Sequence, residues 1–321
     1  MRAPTSIVLA AALAGCGLGV ADDSSGGRDA LPLTGAGPFA KLPLDEAKPL
    51  DEPWLLTDPV VEYGEPALVA RPGGGLIVLV TRESAAAPEG DTTIWRTEQA
   101  TLGALPDAPV EVLTADLSWE EGHVGAPAVV DTGDTLVMFY AGGTGVGRAD
   151  SHDGGRTWTK WPAPLLTNAA SPGVAYDGST WLVAFVDPAG AIRIARSPDG
   201  HDFEVAPEPI VTARAADAKA FDHAAVGGPA LAWLDEGTGR GHWALWYAGL
   251  KKVPAGTDDP VWAIGYAASW DGASWSLLAG NRPVAAGPSA APAVLMQGNH
   301  GTLAFQAVNG RRSAIGLATT R

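Results

Sequence analysis

The chain has 321 residues, among them 41 glycines, 26 prolines, 12 tryptophans and a single cysteine, and its formal net charge is −15. That charge argues against nucleic acid, whose phosphates need Lys and Arg, and against broad electrostatic attraction to anionic lipid. One cysteine permits no internal disulfide, so the core alone must hold the fold, and the Gly and Pro content points to many turns and few helices.

At the N-terminus Arg2 precedes the apolar run "IVLAAALAG", which is shorter than the roughly 20 residues a membrane-spanning helix needs and ends at Cys16. Leu13-Ala14-Gly15-Cys16 resembles a bacterial lipobox, in which the Cys becomes the lipidated first residue of the mature chain. The resemblance implies a signal peptide over residues 1–15, export, and anchoring in the cell envelope at Cys16. The acyl group would then be the only contact with the membrane. Gly17, in place of an Asp, points to the outer membrane. Residues 16–47 are expected to form a solvated tether, helped by "DDSSGGRD".

From residue 48 to 321 the chain repeats. Pro followed by small and apolar residues recurs as "EPALVA" (65–70), "APAVVD" (126–131), "SPGVAY" (171–176), "GPALAW" (228–233) and "APAVLM" (291–296), at intervals of 61, 45, 57 and 63 residues. Each copy leads into strand-like runs rich in Val, Leu, Trp, Tyr and Phe and bounded by Gly and Asp. A fourth run closes the units: "VEVLT" (110–114), "APLLT" (163–167), "EPIVT" (208–212) and "NRPVA" (281–285). Four short strands in each of five units predict an all-β, five-bladed β-propeller. The last unit stops after three strands, while "EPWLLT" (52–57) stands ahead of the first like an orphan fourth strand. An N-terminal strand near Trp54 is therefore expected to pair into the last blade and close the ring.

Between third and fourth runs lie "SHDGGRTW" (151–158), Ser197-x-Asp199-Gly200-x-x-Phe203 and Ser269-x-Asp271-Gly272-x-x-Trp275. Gly takes positive φ and Asp or Ser bonds nearby backbone N–H groups, so these stretches are expected to be hairpins that turn corners. The first resembles the Asp-box of sialidases at every motif position, and the shorter copies resemble the hairpins of five-bladed glycosidase propellers. The sialidases themselves are disfavoured, since an arginine triad, a sixth blade and an aromatic-Arg-Ile-Pro segment are missing; Ala70-Arg71-Pro72 is the nearest fragment.

The residues ahead of each repeat proline should face the mouth of the central channel. Glu65, Glu121 and Asp222 are the candidate catalytic carboxyls there, and Glu62, Trp119, His123 and His223 the candidate ligand-binding residues. No close-spaced metal-ligand cluster and no phosphate loop appear, since "RPGGG" (71–75) reads as a turn, so no metal or cofactor is expected. Over about residues 48–321 the plan resembles the five-bladed superfamily of glycoside hydrolase families 43, 62, 32, 68 and 130. That resemblance implies a base or nucleophile carboxylate at the start of the first inner strand, where Glu65-Pro66 stands. It also implies further acids near Pro127 and Pro229, where the sequence has Ala126 and Gly228 unless Glu121 or Asp222 substitutes. Two readings stay open: a surface lipoprotein that binds a glycan or surface protein without turnover, and an active glycoside hydrolase with carboxylates at the axis.

Overall fold

The computed structural model describes residues 31–42, 54–56, 58, 61–84, 91–104, 106–237, 240–251, 261–280, 282–285, 287, 289–309 and 312–320. Cys16 and the signal-peptide segment lie outside them. Two short N-terminal strands come first, β1 (Phe39–Lys41) and β2 (Trp54–Leu56). Blade one contains β3 (Val61–Ala70), β4 (Leu76–Ser84), β5 (Thr92–Gln99) and β6 (Val110–Leu113). Blade two contains β7 (Val124–Asp131), β8 (Leu136–Gly142), β9 (Gly145–Ser151), β10 (Thr159–Lys160) and β11 (Leu166–Thr167). Blade three is β12 (Ala170–Tyr176), β13 (Trp181–Val186), β14 (Ile192–Ser197) and β15 (Glu204–Val205). Blade four is β16 (Ala225–Asp235), β17 (Gly241–Lys251), β18 (Val261–Ser269) and β19 (Ser276–Leu277), and blade five holds β20 (Ala290–Gln297), β21 (His300–Asn309) and β22 (Arg312–Thr320).

All ladders are antiparallel, and the inner strands β3, β7, β12, β16 and β20 each pack on the inner strands of both neighbouring blades, the last returning to the first. The core is divided accordingly. Apolar clusters fill the five interfaces between adjacent blades, such as Val137, Phe139, Val183 and Ala195 between blades two and three. The cluster of Leu56, Val78, Val80, Ala304, Ile315 and Leu317 closes blade five against blade one. Alternation along the strands supplies both faces of every sheet, so burial is nearly continuous along the second strands. The structure is the expected five-bladed β-propeller.

The ring closes through the N-terminus, with Trp54 opposite Gly316 and Leu56 opposite Ile315. The same edge of β22 is also taken by β1, where Phe39 faces Thr320 and Lys41 faces Ala318. Residues 31–42, which lie in the stretch expected as tether, are thus part of the propeller. Their carbonyls are bonded by buried side chains of blade four: Tyr266 Oη to Pro32 and Thr34, both at 3.0 Å, and Trp246 Nε1 to Gly35 at 3.0 Å.

The outer strand is split in blades two to five, whereas β6 of blade one is one piece. In blade two β10 and β11 both pair with β9. In blades three and four a two-residue strand follows the hairpin, and the expected fourth run adds only a single bridge, Val211 to Ile192 and Ala285 to Ile264. Prolines 162, 164, 207, 209 and 283 lie between the two pieces, and proline cannot donate to a ladder.

Every inner strand also carries one register shift at its repeat proline. The preceding residue has positive φ in all five blades: Glu65 (49°), Ala126 (46°), Ser171 (47°), Gly228 (50°) and Ala291 (42°). Each bulge breaks the two-residue alternation and turns this stretch of backbone towards the axis.

Candidate functional site: an axial cavity with one carboxyl

The five bulges surround a cavity of about 70 Å³ on the axis. Its wall is built from the residue before each proline, the proline, and the next two residues of every inner strand. Among these lining residues Glu65 is the only ionisable one and Ser171 the only hydroxyl; the rest are Pro, Ala, Gly, Val and Leu.

Glu65 joins two blades. Its Oε2 accepts a hydrogen bond from Thr81 Oγ1 at 2.9 Å and one from the Ala126 backbone N–H at 3.0 Å. That N–H also points at Thr81 Oγ1, 2.8 Å away. Gly125 leaves room for this clip, since a Cβ there would lie 3.0 Å from Thr81 and 3.3 Å from Glu65 Oε2. Glu65 borders the cavity and is part-buried. Burial pushes its pKa above the usual carboxylate range, against the opposing effects of the Thr81 and Ala126 bonds.

The other two expected carboxyls do not join Glu65 in the cavity wall. Asp222 is fully buried inside blade four: Oδ1 accepts from Arg214 Nε at 2.5 Å and Oδ2 from Tyr247 Oη at 3.1 Å. Burial, with the Asp222 charge next, holds the Tyr247 phenol far above its ordinary value. Glu121 is exposed, at positive φ, after the 3₁₀ turn Ser118–Glu120. The residue that matches Asp222 is Glu120, which sequence reasoning passed over. Glu120 is fully buried, accepts from Tyr140 Oη at 2.8 Å and from the Asp116 and Leu117 backbone, and pairs with Lys160 at 2.8 Å. Aligning Pro127 with Pro229 places Glu120 opposite Asp222, so the signal was present in the sequence.

Trp119 and Phe221 complete the twin arrangement. Trp119 packs on Tyr140 at 5.8 Å between ring centroids, and Phe221 on Tyr247 at 6.0 Å. Gly147 and Gly265 make these contacts possible: a Cβ would come within 2.6 Å of Trp119 and 2.5 Å of Tyr247 respectively. These are two copies of one structural device, an acid buried beneath an aromatic ring and bonded to a tyrosine and a cation.

Glu62 accepts a long hydrogen bond, 3.4 Å, from Ser313 Oγ. His223 Nδ1 lies 3.0 Å from the Asp217 carbonyl, and His123 is part-buried beside β7. None of Glu62, Trp119, His123 and His223 lines the axial cavity. Among the described residues no group of three or more His, Cys, Asp or Glu could hold a metal ion.

The Ser-x-Asp hairpins spend their acids on their own backbones. Asp153 Oδ1 accepts from the Arg156 and Thr157 N–H groups, both at 2.9 Å, and Oδ2 from Thr157 Oγ1 at 2.7 Å. Bonds from Thr157 hold its pKa well below the usual aspartate range. Asp199 is held down at about 2, mainly by Ser197. For Asp271 burial works upward, but the Ser274, Ala273 and Ser269 bonds outweigh it. Two hairpins are also fastened to the preceding blade, through Arg96 Nε to Gly154 O at 3.0 Å and Arg148 Nη1 to Gly200 O at 2.9 Å.

By fold the chain is similar to solved propellers of glycoside hydrolases. It is similar to the structure of a glycoside hydrolase at TM-score 0.62 and 15% identity, covering 83% of this chain and 89% of that one. The catalytic domain of the Coprinopsis cinerea family 62 α-L-arabinofuranosidase matches at TM-score 0.59 and 12% identity, over 89% and 97% of the two chains. The Bombyx mori family 32 β-fructofuranosidase matches at TM-score 0.59 and 14% identity, over 84% of this chain and 61% of that chain. No family model and no curated protein matches the sequence.

Proposed function

We propose that the chain is an exported cell-envelope lipoprotein, held by a lipid on Cys16, whose propeller binds a glycan or a surface protein at its central mouth without hydrolysing it. One observation carries this reading: the axial cavity has a single carboxyl. Glycoside hydrolysis on this plan generally uses two, one kept protonated as acid and one ionised as base or nucleophile. Here the positions that could supply a partner to Glu65 are Ala126, Ser171, Gly228 and Ala291, and Asp222 is committed to Arg214 and Tyr247. The arabinofuranosidase and fructofuranosidase folds support a carbohydrate ancestry for the mouth, with the reaction lost.

The test has two arms. Purified protein incubated with arabinan, fructan and mannan oligosaccharides should release no reducing sugar. Release that tracks the protein through purification and disappears in Glu65→Gln would overturn the non-catalytic reading. In the producing cell Cys16→Ser should move the protein from the membrane fraction to the soluble fraction, and an unchanged distribution would overturn the lipid anchor.

A further inference from the structure

We infer that the axial cavity takes a linear primary alkylammonium group, the chemistry shared by a lysyl side chain and a free aliphatic polyamine. The inference rests on the reading of the central mouth as a binding site and names its ligand class.

The first ground is a carboxyl without an ion-pair partner. No Lys, Arg or His among the described residues forms an ion pair with Glu65, whereas Glu120 and Asp222 each have one. Glu65 Oε2 is occupied by Thr81 and Ala126, and Oε1 has no hydrogen-bond partner among the described residues. A desolvated carboxylate gains most from a cation that brings its own N–H donors, because charge-assisted hydrogen bonds are about twice as strong as neutral ones.

Shape and wall chemistry supply the second ground. A volume of about 70 Å³ is small, room for roughly five waters at about 10–15 Å³ each. The lining Pro66, Leu68, Val129, Pro172, Leu231 and Val294 offer methylenes an apolar surface rather than the directed polar partners a sugar's hydroxyls require. Ser171, from blade three, is the one hydroxyl-bearing residue of the wall. The net charge of −15 attracts cations to the molecule and repels anions.

Ligand-observed NMR titrations of the full chain with n-butylamine, n-butanol and n-butyrate at one ionic strength and neutral pH test this directly. Butylammonium should bind at least about tenfold more tightly than butanol, the difference expected for a partly desolvated charge pair, and butyrate should not bind. Glu65→Gln keeps an acceptor for Thr81 and Ala126 yet should remove that tenfold preference. Ala291→Leu, which adds bulk at the cavity wall and belongs to neither hydrogen bond of Glu65, should abolish binding. Putrescine and Nα-acetyl-lysine amide then separate the two sources: preference for the first indicates a free polyamine, for the second a lysyl side chain. Equal binding of butylammonium and butanol, butylammonium binding undiminished in either variant, or binding of none of the probes would overturn the inference. A neutral oligosaccharide that saturates the mouth while amines do not would overturn it and leave the non-catalytic binding reading standing. Sugar release dependent on Glu65 would overturn that reading instead.

Discussion

Asp222 and Glu65 show how differently two acids near one axis can be used. Asp222 is fully buried with both oxygens bonded, and its partner Arg214 has side-chain exposure of 31%. Removing one member of a fully buried pair costs about 3–5 kcal/mol because the other charge is stranded. Arg214 reaches water, so Asp222→Asn should cost less, about 2 kcal/mol, read as a lower urea midpoint with unchanged slope. An unchanged midpoint would mean that Asp222 holds nothing together and would reopen its candidacy as a mouth residue. Glu120 with Lys160 repeats the arrangement in blade two, and the choice between Glu120 and its neighbour Glu121 turned on a single residue of register. Composition cannot make that choice, whereas the 3₁₀ turn that buries one side chain and exposes the next makes it at once.

At the scale of the element, the Ser-x-Asp hairpins convert sequence into geometry with little loss. Their spacing fixes which backbone N–H groups the aspartate reaches, and all three copies form the local bonds that spacing implies. The outer strands were less legible, because strand propensity alone gives no sign that "APLLT" and "EPIVT" form only the second piece of a divided strand. The prolines inside and beside those runs supply the reason, and the Phe39–Lys41 piece escaped notice because it is only three residues long. The hairpin acids also set a pH response. Their folded pKa values lie below the unfolded aspartate value of about 3.9, so their stabilisation is present above that pH and is lost as pH falls through the folded values. Wild-type protein should therefore lose stability between about pH 4 and pH 2, and Asp153→Asn should flatten part of that slope in denaturation midpoints measured across the range. A parallel loss in variant and wild type would mean that the Asp153 bonds add nothing to the folded state. Asp153 and Asp199 are exposed, so each effect is small and is seen best as a slope.

The whole molecule depends on how a ring made from one chain is closed. Four blades supply their own outer strands; blade five takes both pieces of its outer strand from the N-terminus, β1 and β2. The segment leading into β1 also occupies the seam between blades four and five, where Leu31, Ala36 and Phe39 pack against the cluster containing Trp246, Tyr266 and Phe305. Gly35 is required at this seam, since it has φ 84° and a Cβ there would lie 2.9 Å from Trp246. Excising residues 31–42 from the full chain would leave Tyr266 and Trp246 without their carbonyl partners and half of the β22 edge unpaired, an open template for association. The thermal midpoint should fall by at least about 5 °C, given about 2–4 °C per kcal/mol for a domain somewhat smaller than this one, and the protein should begin to self-associate in light scattering. The double change Tyr266→Phe and Trp246→Phe keeps the rings and removes only the hydrogen bonds, so it should reproduce a fraction of the midpoint shift without the self-association. That difference separates anchoring of the segment from protection of the edge. An excised chain that melts where the wild type does and stays monomeric would show that β2 alone closes the ring, and that β1 contributes nothing to it.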